Sequence, residues 1–254
     1  ERDTHTFSPT YDEKISEANA GIRYGNTAVS LRLNTVINSR LFWNNSIYYS
    51  YMGNSNFSKN KILSTGLEEY VNIRSRLDEG GFKSIVQQTI SQKYSLTYGL
   101  EATRQLFKPQ RFHYESPGIE RDTDYGWLDL TTASLFVNKN IQLGKYEINA
   151  GLRGSVYYNG KTTRFSVEPR LSASYAFGDN NSVWVSYTES SQPLFSMLKS
   201  FGGITMYYWI PFAGQAIPHS RQISLGTEFS PAKGLDVTVE VYYKRMRNLL
   251  MVYD

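Results

Sequence analysis

Period-two alternation runs through this chain in segments too long for an ordinary sheet. Residues 145–157, KYEINAGLRGSVY, divide by parity into Tyr146, Ile148, Ala150, Leu152, Gly154 and Val156 against Lys145, Glu147, Asn149, Gly151, Arg153 and Ser155. Successive side chains of a strand point to opposite faces, so this segment reads as a strand with one apolar and one wet face. Asn159-Gly160 is a hairpin signal, and beyond it Phe165, Val167, Pro169, Leu171, Ala173, Tyr175 and Phe177 alternate with Arg164, Ser166, Glu168, Arg170, Ser172 and Ser174. After the turn cluster at 178–181, Val183, Val185 and Tyr187 continue the pattern, with Trp184 anomalously on the wet side. Residues 222–229, 235–244, 94–103 and, with gaps, 41–51 alternate too; residues 27–34, 82–90 and 122–138 do so more weakly. The reading is about ten strands and no helix.

The length of these runs narrows the fold. A twelve-residue strand at ~3.3 Å per residue spans about 40 Å, against ~17–20 Å for a typical soluble strand. Such strands outreach the ~25 Å apolar band of a membrane barrel and would project beyond it. The connections also take turns along the chain. Short ones are expected near 35–39, 91–92, 139–144, 178–181 and 231–234, and long ones at 54–66, 108–121 and 191–217, with 158–162 a short exception. Short turns on one rim and long loops on the other are the pattern of a transmembrane antiparallel β-barrel. On this reading Tyr49, Tyr51, Tyr157, Tyr158 and Phe165 form a girdle near the long-loop ends, and Tyr175 and Phe177 one near the short turns.

Composition agrees. Aromatic residues make up 15% of the 254 residues, with 20 Tyr, which excludes a disordered chain. No apolar run approaches the ~18 residues of a spanning helix. The mean hydropathy of −0.44 is the average of a greasy face and a wet one. Twenty-seven basic against 23 acidic residues, a net +4, is not the footprint of a nucleic-acid binder. With no Cys there is no disulfide or thiolate chemistry.

Enzyme chemistry finds no support: the three His, at 5, 113 and 219, lie far apart, no metal-binding or paired-carboxylate motif is present, and no Gly-rich loop cradles a phosphate or cofactor. The wet-face charges Arg32, Glu101, Glu147, Arg153, Glu168, Arg170, Glu228, Asp236 and Glu240 read as hydrated or paired lining. The candidate ligand-binding residues lie in the long connections. Tyr207, Tyr208, Trp209 and Phe212 in FGGITMYYWIPFAGQAI are too apolar for a solvated loop unless it folds inward or meets a ligand. Phe112, His113 and Tyr114 form a second, more mixed patch.

Residues 145–254 resemble the barrel of TonB-dependent outer-membrane receptors of the Bacteroidota type. The resemblance is carried by NAGLRGSVYYNGKTTRFSVEPRLSASYAFGDNNSVWVSYTESSQPL, with its EPRLS core at Glu168 to Ser172, and by PHSRQISLGTEFSPAKGLDVTVEVYYKRMRNLL. SLRLN, LFWNNSIYYS and YSLTYGLEATRQLF extend it more weakly upstream. That family's barrel has about twenty-two strands closed around a plug. The resemblance implies a partial barrel over residues 1–254, an internal piece without plug or TonB box, located in the bacterial outer membrane. It also implies import of a scarce solute, such as an iron chelate or a corrinoid, and as partners outer-membrane lipid, the receptor's own plug, the TonB complex, the extracellular solute and a surface lipoprotein. A glycan importer with a lipoprotein partner is a less favoured variant, because that subgroup's W-E pair is replaced by Ser220-Arg221-Gln222. A complete ten-stranded outer-membrane barrel acting as protease, lipase or adhesin, and a soluble all-β binding domain, stay open as alternatives.

Overall fold

The computed structural model describes residues 2–7, 16–178, 181–201 and 204–249, with side chains described for 16–178, 181–198 and 208–249. Every regular element in it is a strand. The wall consists of β1 (Arg2–Phe7), β2 (Ser16–Asn38), β3 (Leu41–Ile62), β4 (Leu67–Ser91), β5 (Tyr94–Ser116), β7 (Leu128–Leu143), β8 (Tyr146–Tyr158), β9 (Thr163–Ala176), β10 (Ser182–Ser191), β13 (His219–Ala232) and β14 (Leu235–Arg247), hydrogen-bonded in that order and antiparallel throughout. Three short strands lie off this path: β6 (Ile119–Asp124) pairs with β5, and β11 (Leu194–Phe201) pairs with β12 (Ile204–Pro211) in a separate hairpin. Nine of the ten segments expected from alternation lie in wall strands; the tenth, 122–138, starts in β6, breaks at 125–127 and joins the wall only as β7 from Leu128.

The two connections expected at 54–66 and 108–121 are not loops. β3 runs on to Ile62 and turns at residues 63–66 into β4, while β5 runs to Ser116 before pairing with β6. A strand tilted ~45° needs about ten residues to cross the apolar band, so roughly half of each of β2 to β5, at 22–25 residues, projects beyond it. Tyr49 and Tyr51 therefore sit at the top of the band, not at a strand end.

Within the band the register keeps each face uniform. One face carries Leu31, Leu33, Ile47, Phe82, Leu100, Leu135, Leu152, Val167, Leu171 and Leu225, all exposed and apolar. The opposite face is a polar lattice linking neighbouring strands. Tyr48 donates to Glu79 (2.8 Å) and Gln105 to the same carboxylate; Arg153 reaches Glu101 and Ser134 (both 3.0 Å), and Ser134 bonds Ser155 (2.8 Å). Aromatics on this wet face lie over glycines of the adjacent strand. Trp184 is paired with Gly226, Phe136 with Gly99 and Tyr48 with Gly81, and a Cβ on any of these glycines would overlap the ring. The missing side chain leaves room for a flat ring, which explains why Trp184 departs from the alternation. Tyr157 also belongs to this face. It is buried and bonded to Ser166 (3.0 Å), so it is not a girdle residue, as its own parity in β8 requires.

Above the band the polarity inverts. Val71, Ile73, Phe107 and Leu130 occupy the wet-face side and are buried, while Arg74, Arg76, Asp78, Arg104 and Lys108 occupy the side that was apolar below. What buries the first set is the β11–β12 hairpin, whose strand β12 packs against β3, β4, β5 and β7.

Candidate functional site

The hairpin is held by its roots. Gln192 donates its amide to the Pro218 carbonyl (3.0 Å) and Phe212 to that of Pro193 (2.9 Å); Asn159 Nδ2 reaches the Phe212 carbonyl (2.6 Å) and Arg164 that of Gly214. Phe212 is fully buried, joining Phe195, Ile217, Phe107, Leu130 and Tyr157 in one cluster against which Trp209 packs. Removing these rings from water is the force that folds the segment inward. Tyr208 reaches a second cluster, where Val71 and Ile73 meet Phe112 and Tyr114. Tyr207 pairs with Leu198 through the backbone, and its side chain lies outside the described set.

Of the sequence-derived candidates, Tyr208, Trp209, Phe212, Phe112 and Tyr114 thus converge under the hairpin. His113 does not. It points to the opposite face, edge-on to Tyr70 (5.9 Å between ring centres) and 4.0 Å from Glu115. The separation follows from alternation: on a strand, neighbours of Phe112 and Tyr114 cannot share their face.

Between β11 and the β13–β14 wall lies a pocket of about 330 Å³, lined on the apolar side by Leu194, Met197, Met246 and Leu249 and on the polar side by Ser196, Ser220 and Lys244. It combines flexible apolar side chains with hydroxyls and one cation, a lining suited to a mid-sized solute with an apolar body and polar or anionic groups. Lys244 and the Met residues were not singled out in the sequence; only their place on the wall beside the folded hairpin brings them together.

Sequence reading also missed a polar cluster at the hairpin root. Ser191 Oγ lies 3.1 Å from His219 Nδ1, and His219 Nε2 lies 2.8 Å from Glu189. The residue types are those of a hydrolase triad, but Tyr187 also donates to Glu189 and Arg221 pairs with it at 3.1 Å. The Ser191 amide is spent on Glu168 (3.0 Å) and the Gln192 amide on Pro218, so neither amide next to the hydroxyl is free for an oxyanion. The cluster is a clamp. Glu168, the acidic residue of EPRLS, is buried and accepts from Ser191, Ser166 (3.2 Å) and Tyr157 (3.4 Å), tying β8, β9 and β10 together where the hairpin departs. Among the described residues, no group of three or more His, Cys, Asp or Glu is placed to hold a metal ion.

No curated protein sequence matches the chain. Solved structures do. The ferric yersiniabactin uptake receptor FyuA from Yersinia pestis superposes with a TM-score of 0.57 at 12% identity, covering 98% of this chain and 52% of that one. The ferric-catecholate import receptor Fiu from E. coli K12 gives 0.59 at 12% identity, with 94% and 42% coverage. The RagAB peptide transporter gives 0.62 at 11% identity, with 94% and 31% coverage. The chain therefore spans about half the length of these proteins or less, and at such identity the likeness speaks to the fold. The family model for the TonB-dependent receptor-like β-barrel matches residues 2–254. An apolar band with a wet lattice behind it, strands that overrun the band, and a family match over nearly the whole sequence lead to one conclusion: the chain belongs to the TonB-dependent receptor-like β-barrel family, a wall of the bacterial outer membrane.

Proposed function

We propose that this wall belongs to a receptor that captures a scarce solute at the extracellular rim and imports it across the outer membrane. The observation that carries this reading is the β11–β12 hairpin folded over the wet face above the band, with the 330 Å³ pocket beside it. Tyr208, Trp209 and Phe212, with Phe112 and Tyr114, set the hairpin's position, and Leu194, Met197, Lys244 and Met246 meet the solute. Tyr207 completes the aromatic run of β12, and His113, on the outer face, is left out of this site.

Residues 1–254 act as part of a barrel domain. Its plug seats against the polar lattice of Glu79, Glu101, Arg153 and their partners, and through the plug the TonB complex delivers the force that releases solute inward. An iron chelate, a corrinoid or a similar compound fits a lining that sets Lys244 and several hydroxyls against apolar groups, and two of the structural neighbours carry ferric chelates in their names. The peptide transporter among the neighbours supports a second reading, a larger organic solute; a surface lipoprotein as partner belongs to that reading.

Deleting residues 194–211 from the full receptor tests the site. Uptake is expected to fall to the level of a TonB-deficient strain while the barrel still assembles. Unchanged uptake would remove the hairpin from the mechanism.

A further inference from the structure

The face that turns towards lipid carries an unusual feature immediately above the apolar band. A groove of about 490 Å³ is lined by five cations, Arg23, Arg74, Arg76, Lys108 and Arg111, and no carboxylate is among its lining residues. The fold gathers them deliberately. Arg74, Arg76 and Lys108 share one face of the β4–β5 pair by register, and Arg111 would point to the other were it not for an extra residue at Pro109–Gln110. Pro has no amide to give to the ladder, and the resulting bulge shifts parity by one, so Arg111 sits opposite Arg74 on the same outward face.

Acids nearby neutralise only part of this charge. Asp78 binds Arg76 (2.6 Å), Asp124 binds Lys108 (2.5 Å) and Asp122 binds Arg111 (2.8 Å). Arg23 lies over Phe57 (5.1 Å), and neither it nor Arg74 has an ion pair among the described residues. A smaller hollow of about 220 Å³ adjoins, sharing Arg74 and Arg111 and adding His113, Asn72 and Asp122.

Height fixes what can occupy the groove. Its floor is the top of the band: Arg76 lies 4.9 Å over the Tyr51 ring and 5.5 Å over Trp127, and Lys108 lies 5.6 Å over Trp127. Aromatics mark the boundary between hydrocarbon and headgroups, and the exposed Val29, Leu31, Ile47 and Phe82 run downward from it on the same face. We infer that this groove is a binding site for the phosphate groups of an anionic lipid in the outer leaflet, whose acyl chains lie along the apolar strip below. A free anion would find the same cations but would gain nothing from the strip. Arg74, which has no ion pair among the described residues, supplies a forked donor pair to a phosphate, Arg111 adds the donors that its Nε and Nη2 contacts with Asp122 leave free, and Arg23 closes the side nearest β2. The site also gives His113 a setting the solute pocket does not.

The test is native mass spectrometry of the full receptor in detergent, loaded with diphosphorylated lipid A, with a phosphate-free zwitterionic phospholipid or with inorganic phosphate. The expected result is retention of lipid A adducts that millimolar inorganic phosphate does not displace, and little retention of the zwitterionic lipid. Arg74→Gln and Arg111→Gln should each weaken retention about fivefold, the worth of one surface cation towards an anionic lipid. Glu228→Gln, on the wet face, should leave retention unchanged, and heat-modifiable gel mobility verifies that each variant barrel is folded. Equal retention by the Arg variants and the unaltered protein, or equal retention of the zwitterionic lipid, would overturn the proposal. Displacement by inorganic phosphate alone would overturn the lipid assignment in favour of a free-anion site.

Discussion

The lower and upper halves of this wall are built from the same strands with opposite instructions. In the lower half apolar residues point outward and the polar lattice points inward, as at Leu152 and Arg153 of β8. In the upper half of β4 the order is reversed, with Val71 and Ile73 buried inward and Arg74, Arg76 and Asp78 outward. The solvent makes the difference. Lipid surrounds the lower half, so the outer face must be apolar; water surrounds the upper half, so apolar residues are stable only beneath a cover, which the β11–β12 hairpin supplies. A single backbone ladder thus serves two solvents by changing which parity is greasy.

The largest effect separating the halves should come from the cover. Phe212→Ala empties a fully buried site and should cost the hairpin's docking about 3–5 kcal/mol, seen as rapid proteolysis within residues 194–211 while the membrane half keeps its heat-modifiable mobility. If hairpin and band failed together, the halves would be one cooperative unit. Leu152→Arg probes the other half. A charge near the middle of the band should destabilise the barrel by about 2–4 kcal/mol in urea titrations from liposomes, whereas Thr163→Arg, exposed and outward at the upper end of β9, should leave the midpoint within about 0.5 kcal/mol.

A smaller effect is expected at Gly226→Val on the wet face, where the new side chain must displace the Trp184 ring, at about 1–3 kcal/mol in the same titration. Smallest of all is the response of the upper ion pairs to pH. Arg76, with help from the Tyr49 hydroxyl, holds the Asp78 carboxyl below its ordinary range, and Arg111 does the same for Asp122. Their folded values are depressed, so the stabilisation is complete above the unfolded carboxylate range near ~4 and is lost as pH falls through the lower, folded values. Stability of the upper half should therefore be flat from pH 7 to about 5 and decline only below ~4, a course that hydrogen exchange over β4 and β5 would follow.

The two halves also differed in how legible they were. Ten of the eleven wall strands were readable, all but β1, because lipid on one side and water on the other write a period of two into the residues. The upper extensions were read as loops at 54–66 and 108–121, since residues such as Asn54, Ser55, Asn56 and Ser58 are polar on both faces and carry no alternation. A signal was nonetheless present. In β4 the apolar parity switches from odd at Val71, Ile73 and Leu77 to even at Phe82 and Val86, and a parity switch without a turn marks a strand leaving the membrane. The aromatic segment at 201–217 was recognisable as a segment that folds inward or meets a ligand, yet the pocket beside it was not, because Met197, Lys244 and Met246 meet only through the fold. Likewise nothing in the order of residues announced that Ser191, His219 and Glu189 would touch; cross-strand register alone brings them together.

The central claim, a wall with one face in lipid and one in water, is best tested by single-cysteine labelling along β8, in a chain that has no Cys of its own. With the full receptor in liposomes, cysteines at Asn149 and Gly151 should react with a water-soluble maleimide, and those at Ile148, Ala150 and Leu152 should not until detergent is added. Uniform reactivity along residues 148–152, or the opposite parity, would contradict the account.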